Sequence, residues 1–100
     1  NLGAGTKLAN LPFRTLEQKE KVQFEPFDLK IEGNLVVTGK AKLGAILGDG
    51  VETGCNSTLA PGALIGVDSW IFPCLFVKGG YYRPRSIIKP PHRAEVIPKY

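Results

Sequence analysis

The sequence predicts an all-β chain whose short parallel strands wind as a parallel β-helix of hexapeptide repeats. Three observations predict it. Over residues 47–77 the apolar positions Leu47, Leu59, Ile65, Ile71 and Val77 share a register of six, with Thr53 filling the slot between Leu47 and Leu59. Four residues after successive slots stands a small or apolar residue: Val51, Ser57, Ala63, Ser69 and Leu75. A period of six fits neither the 3.6-residue period of an amphipathic helix nor the two-residue period of a half-buried strand. Fixed hexapeptide self-similarity signals units that cannot bury their apolar face alone and must stack.

In chain order, residues 1–10 already carry the pattern: Leu2 and Leu8 are six apart and Thr6 lies four after Leu2. Gly3 and Gly5 suit corners that need close approach or a positive φ. Residues 11–42 leave the period. The polar run from Arg14 to Lys21 reads as a loop. Val22, Phe24, Phe27, Leu29 and Ile31 then alternate with polar residues, shifted in phase at Glu25-Pro26. Glu32-Gly33-Asn34 is a turn signal, and Leu35-Val36-Val37-Thr38 follows. This is the pattern of a β-hairpin excursion with a kink near Pro26. Residues 43–77 resume the coil. Over 78–100 the period ends at Gly79-Gly80-Tyr81-Tyr82, and Pro84, Pro90, Pro91 and Pro98 exclude a long helix or central strand. The expectation there is a basic tail, either docked through Tyr81, Tyr82, Ile87 and Ile88 or disordered. The 100 residues make one domain. Because Asn1 stands inside a repeat, the chain reads as a fragment of a longer protein.

Charge is unevenly spread. Residues 43–77 hold Asp49, Glu52 and Asp68 and no Lys or Arg. Residues 78–100 hold Lys78, Arg83, Arg85, Lys89, Arg93 and Lys99 against Glu95 alone. A local basic segment beside an acidic coil suits a phosphate-bearing small ligand better than a nucleic-acid surface; the competing reading is a tail kept soluble by its charge. No apolar run approaches a membrane span and no signal peptide opens the chain, so a cytoplasmic location with no membrane contact is expected. Two cysteines do not form a disulfide framework. In coils of three hexads Cys55 stacks under Pro73, and free thiols are expected. His92 is the only histidine, which excludes a multi-histidine metal centre within these residues. No metal site is expected, and the Gly-X-Gly pattern belongs to coil corners.

The runs Leu47-Gly-Asp-Gly-Val, Leu59-Ala-Pro-Gly-Ala and Ile65-Gly-Val-Asp-Ser-Trp-Ile resemble those of the hexapeptide acyltransferases, whose fold is a left-handed parallel β-helix. The segment Asn1-Leu-Gly-Ala-Gly-Thr with Asn10 is more specifically similar to the acetyltransferase domain of the bifunctional sugar-1-phosphate nucleotidylyltransferase/glucosamine-1-phosphate acetyltransferases. Lys42-Leu-Gly-Ala-Ile-Leu-Gly-Asp-Gly-Val is similar to their archaeal forms. The resemblance covers residues 1–10 and 43–77 well, the hairpin loosely and the tail poorly. It implies a homotrimer with sites between subunits, acetyl-CoA as cosubstrate in a groove beside the coils, and an amino sugar 1-phosphate as acceptor. It also implies a nucleotidylyltransferase domain preceding the coils.

Amide formation from a thioester needs a base for the amine, a donor for the developing oxyanion, and groups that hold two phosphate-bearing substrates. The resemblance puts the base, a His, one coil before Gly3-Ala4-Gly5-Thr6, so no catalytic residue is expected within this chain. His92, in the basic tail, is a surface residue or a weak competitor for the role. Asn10 matches an Asn that positions substrate, its amide both donating and accepting; the alternative is an Asn that satisfies a corner. Lys19 and Lys21 match sugar-phosphate lysines, with Arg14 as competitor, or form a solvated charge run. Cys55 and Pro73 would line the cosubstrate groove. Arg83 and Arg85 would meet its phosphates, with Tyr81 and Tyr82 beside the adenine, unless these residues only dock the tail. The alternative function is a non-catalytic β-helix that trimerises or regulates a nucleotidylyltransferase.

Overall fold

The computed structural model describes residues 1–20, 28–91 and 96–100. They form an all-β chain with a single five-residue helix among them. Eight short strands follow one another after the excursion: β4 (Ile46–Leu47), β5 (Glu52–Thr53), β6 (Thr58–Leu59), β7 (Ala63–Ile65), β8 (Trp70–Ile71), β9 (Phe76–Val77), β10 (Gly80–Tyr82) and β11 (Ile87–Ile88). Before it lies β1 (Lys7–Leu8). They distribute over three parallel sheets, ordered β10-β7-β4, β11-β8-β5 and β1-β6-β9. Successive strands from β4 onward visit these sheets in rotation. Leu47 lies on Ile65, Thr53 on Ile71 and Leu59 on Val77, each pair eighteen residues apart. The layers are joined by backbone hydrogen bonds such as Gly54 N to Ile71 O (2.7 Å) and Ala60 N to Val77 O (2.8 Å).

The hexad slots point inward. Thr53, Leu59, Ile65, Ile71 and Val77 are buried, and so are Val51, Ser57, Ala63 and Ser69 from the second inward position. Leu47 and Leu75 pack against this cluster from its edge. Burying each Leu, Ile or Val contributes roughly 1.5–3 kcal/mol. The buried polar groups are satisfied. Ser57 Oγ donates to Gly54 O (2.9 Å), and Ser69 Oγ accepts from Ser86 N (3.1 Å). Thr53 fills an apolar slot because the layer beneath supplies its partners. Its hydroxyl accepts from Gly3 N (3.1 Å) and lies 2.8 Å from Thr6 Oγ1. The Thr6 proton is committed to Gly3 O (2.6 Å), so Thr53 is the donor between the two hydroxyls.

The corners carry their own constraint. A Cβ on Gly54 would meet the Pro73 nitrogen of the next layer at 2.4 Å, so the residue after this slot has no room for a side chain. One corner column runs Gly50, Asp68, Arg85, all with positive φ, and another runs Gly5, Asn56, Cys74. Cys74 N donates to Cys55 O (2.9 Å), the bond expected when Pro73 stacks over Cys55. Both thiols are free and exposed.

The strict period stops at Gly79-Gly80, but the layers do not, which corrects the reading of residues 78–100 as a tail outside the coil. Tyr81 lies on Leu64 and Ile88 on Ile71, each pair seventeen residues apart rather than eighteen. The corner is one residue short, with Gly80 at φ 137°. Tyr82 takes the slot over Ile65, and its hydroxyl donates to Lys78 O (2.8 Å). Partial burial raises its pKa above the usual tyrosine value. Residues 89–91 and 96–100 are exposed.

The excursion leaves after Asn10 and returns at Leu43, whose N donates to Asn10 O (2.9 Å). Helix α1 (Leu16–Glu20) stands where a loop was expected. Its start is a capping box: Gln18 N donates to Thr15 Oγ1 (3.2 Å) and Thr15 N to Gln18 Oε1 (2.9 Å). The hairpin is present as β2 (Asp28–Ile31) and β3 (Asn34–Val37), antiparallel, with Ile31 opposite Asn34. Glu32 (φ 50°) and Gly33 (φ 82°) make a two-residue turn with both φ values positive, the type I′ geometry that matches strand twist. Val22, Phe24, Phe27 and the kink at Pro26 lie outside the described residues, as does Lys21. Strand β2 folds back beside β10.

Two outcomes are expected. Leu59→Ala should cost about 2–5 kcal/mol of unfolding free energy in denaturant titration, because its site is fully enclosed and cannot collapse. Tyr82 has a raised folded-state pKa, so stability is retained below the unfolded value of about 10 and lost as pH rises through the folded value. The melting temperature should therefore fall more steeply above about pH 10 in wild type than in Tyr82→Phe.

Candidate functional site

Alternation along β10 sets the site. Tyr82 points inward to the slot, so Tyr81 points outward. The corner that follows divides two basic side chains. Ser86 Oγ donates to Arg83 O (2.6 Å), and Arg85 N donates to Val67 O (2.9 Å), which pins the corner to itself and to the layer below.

On one side of this corner Arg83 and Tyr81 face the hairpin. With Lys30 and Glu32 they line a cleft of about 560 Å³. The hairpin also closes a neighbouring space of about 280 Å³ over the corners Pro61-Gly62 and Gly79-Gly80, lined on its own side by Asp28, Leu29 and Lys30. On the other side Arg85 joins Asp68, Trp70, Ser86 and Ile87 around a shallower cleft of about 230 Å³. Trp70 is 52% exposed and Ile87 57%, stacked as the outward residues of β8 and β11.

The structure therefore separates Arg83 from Arg85, which the sequence reading grouped on one ligand. Cys55 and Pro73 occupy a different corner, at the far end of the β8 face from Arg85. That face, with Trp70 and Ile87 outward, connects the two corners. Asn10 is exposed at the exit of the excursion, and Lys19 is exposed in the last turn of α1. Arg14 is half-buried just before the helix and is engaged in an interaction of its own. Asn10, Arg14 and Lys19 thus lie along the outgoing arm of the excursion, and none of them lines the three clefts. Lys21 and His92 lie outside the described residues.

Sequence reasoning missed Lys30, Glu32, Asp68 and Trp70. Trp70 was legible, since it precedes an inward slot and must face outward. Glu32 was legible as a turn residue, but its place opposite Tyr81 depends on where the hairpin docks.

No helix among the described residues is long and apolar enough to cross a membrane. No family model matches the chain. Over 73 residues, 73% of this chain, the sequence is 40% identical to a protein of Sulfurisphaera tokodaii named bifunctional sugar-1-phosphate nucleotidylyltransferase/acetyltransferase. The matched residues span 16% of that relative. Most of this chain is thus similar to about a sixth of a bifunctional transferase.

Proposed function

We propose that the three sheets are the walls of a left-handed parallel β-helix. On this reading the chain is the acetyltransferase part of a bifunctional sugar-1-phosphate nucleotidylyltransferase/acetyltransferase. It would move an acetyl group from acetyl-CoA to the amine of an amino sugar 1-phosphate such as glucosamine 1-phosphate. The observation that carries this is the 40% identity over 73 residues to a bifunctional enzyme of that name, in a chain whose short parallel strands visit three sheets in rotation. The handedness rests on the resemblance of the hexads.

The β8 face suits an elongated phosphate-bearing cosubstrate. Arg85 offers a guanidinium fork to phosphate oxygens at one corner. Trp70 and Ile87 offer an outward apolar surface along the way, and Cys55 and Pro73 border the opposite corner. Arg83 faces the hairpin instead. Acetyl-CoA, when bound, supplies an acyl carbonyl activated as a thioester. Asn10 orients the acceptor through an amide that donates and accepts, while Lys19, with Lys21 or Arg14, balances its phosphate. The general base is assigned by resemblance to a His in the coil preceding Gly3. Direct transfer needs no nucleophile, so neither thiol takes a covalent role.

Partners follow the same reading. Trp70, Phe72, Phe76, Ile87 and Ile46 are exposed apolar residues on a three-sided stack, which supports a homotrimer with sites between subunits. A nucleotidylyltransferase domain belongs to the bifunctional relative by name. The same apolar faces also favour a second reading, a β-helix that only trimerises its enzyme.

Release of free CoA thiol by the full-length protein, given acetyl-CoA with glucosamine 1-phosphate or galactosamine 1-phosphate, separates the two. Turnover is expected, with kcat/KM reduced at least about tenfold by Asn10→Ala and the acetyl-CoA KM raised by Arg85→Gln. A trimer that transfers nucleotidyl groups but releases no thiol with any amino sugar phosphate would leave the trimerising module as the function.

A further inference from the structure

Cys55 and Cys74 are the two cysteines of the chain, and stacking brings them to one corner. Cys74 N donates to Cys55 O (2.9 Å), and in the layer below Asn56 N donates to Ala4 O (2.8 Å). In a parallel ladder such bonds set Cys55 level with Pro73 and Asn56 level with Cys74. The two cysteines are thus diagonal neighbours on adjacent layers. One layer spacing and one residue step together put their Cα atoms about 6 Å apart. That lies within the roughly 4.4–6.8 Å that a disulfide spans.

A second observation concerns how firmly this geometry is held. A Cβ on Gly54 would meet Pro73 N at 2.4 Å, and one on Gly3 would meet Cys55 N at 2.6 Å. The backbones at this corner therefore approach closely from both sides, and their spacing is set by packing rather than by the thiols. Both thiols are free and exposed, so a small solute reaches them. Two thiols held side by side act on one another at a high effective concentration.

We propose that Cys55 and Cys74 close a reversible disulfide across the two layers by exchange with small disulfides. One cysteine thiolate attacks a sulfur of the disulfide RSSR, forming a mixed disulfide and releasing one RS⁻. The other cysteine thiolate then attacks the protein sulfur of that mixed disulfide. The bond between Cys55 and Cys74 forms and the second RS⁻ leaves. The cysteines lose two electrons, RSSR gains them, and the two cysteine protons end on two RSH. Excess RSH reverses both steps. The bridge joins backbones already linked by Cys74 N and Cys55 O, so it closes without breaking the ladder. The exchange lies outside acetyl transfer, which uses neither thiol.

The test equilibrates the full-length protein, without acetyl-CoA, in stepped ratios of glutathione to glutathione disulfide. Remaining thiols are alkylated and the protein is digested with trypsin. Residues 43–77 hold no Lys or Arg, so both cysteines leave in the single peptide 43–78. That peptide should be unalkylated, free of glutathione and about 2 Da lighter than the dithiol form. The effective concentration of the pair, read from the ratio at half-oxidation, should be at least about tenfold higher in the native protein than in urea-unfolded protein. Cys55→Ser and Cys74→Ser should each accumulate the mixed glutathione disulfide on the remaining cysteine, because the second step is lost. A native peptide 43–78 that stays a dithiol, carries two glutathiones or is cross-linked between chains would overturn the proposal. So would a bridge that closes no better in native than in unfolded protein. Thiol release with acetyl-CoA is read separately, so failure here leaves the acetyl-transfer reading intact.

Discussion

Every feature of this chain depends on the vertical registry between layers. Each backbone amide in a strand finds its acceptor in the layer above or below, so a slot residue must fall on a slot residue. Leu59 between Leu8 and Val77 shows the result: side chains of similar shape stack in a column, and the middle one is fully buried. Where the backbones sit closest, after the slots Leu47, Thr53 and Ile65, the following residues Gly48, Gly54 and Gly66 have no space for a side chain. The second inward position holds the fully buried small residues Ser57, Ala63 and Ser69, and also Val51 and Leu75. A polar residue is tolerated in a slot only where another layer supplies its hydrogen bonds, as Thr6 and Gly3 do for Thr53.

The same registry explains how the chain survives the loss of one residue at Gly79-Gly80. A glycine at φ 137° shortens the corner, and the next strand still reaches its partners. A larger side chain, Tyr82, then enters a slot otherwise held by aliphatics, and its hydroxyl finds a carbonyl at the edge. Strand alternation turns Tyr81 outward as a consequence. The corner beyond, tied by Ser86 to Arg83 O and to Ser69, sends its two arginines to opposite sides.

The excursion gives this layered chain its larger recesses. The parallel face around Trp70 and Arg85 offers by itself only the shallower cleft. The hairpin, closed by its type I′ turn and folded against β10, creates a cleft with walls from two remote segments. Its outgoing arm carries Asn10, Arg14 and Lys19, and its return is fastened to Asn10 by Leu43. Insertion at this corner leaves the ladders of β1 on β6 and β4 on β7 intact.

Much of the scaffold was legible in the amino-acid sequence. The period of six identified the inward residues from Thr53 to Val77 and the stacking of Cys55 under Pro73, and the Glu32-Gly33-Asn34 signal identified the turn, because each depends on contacts that repeat or lie within a few residues. The capping pair Thr15 and Gln18 was equally local, but the charged residues around it resemble a loop. What only the tertiary structure decided was set by packing across distance. Seventeen residues proved enough for one more turn because Gly80 has no Cβ and Tyr82 fits over Ile65. Arg83 and Arg85 separate because a corner lies between them. Lys30 and Glu32 meet Tyr81 and Arg83 because the hairpin folds back on β10. A repeat encodes its own stacking in its period; no period encodes where an excursion comes to rest.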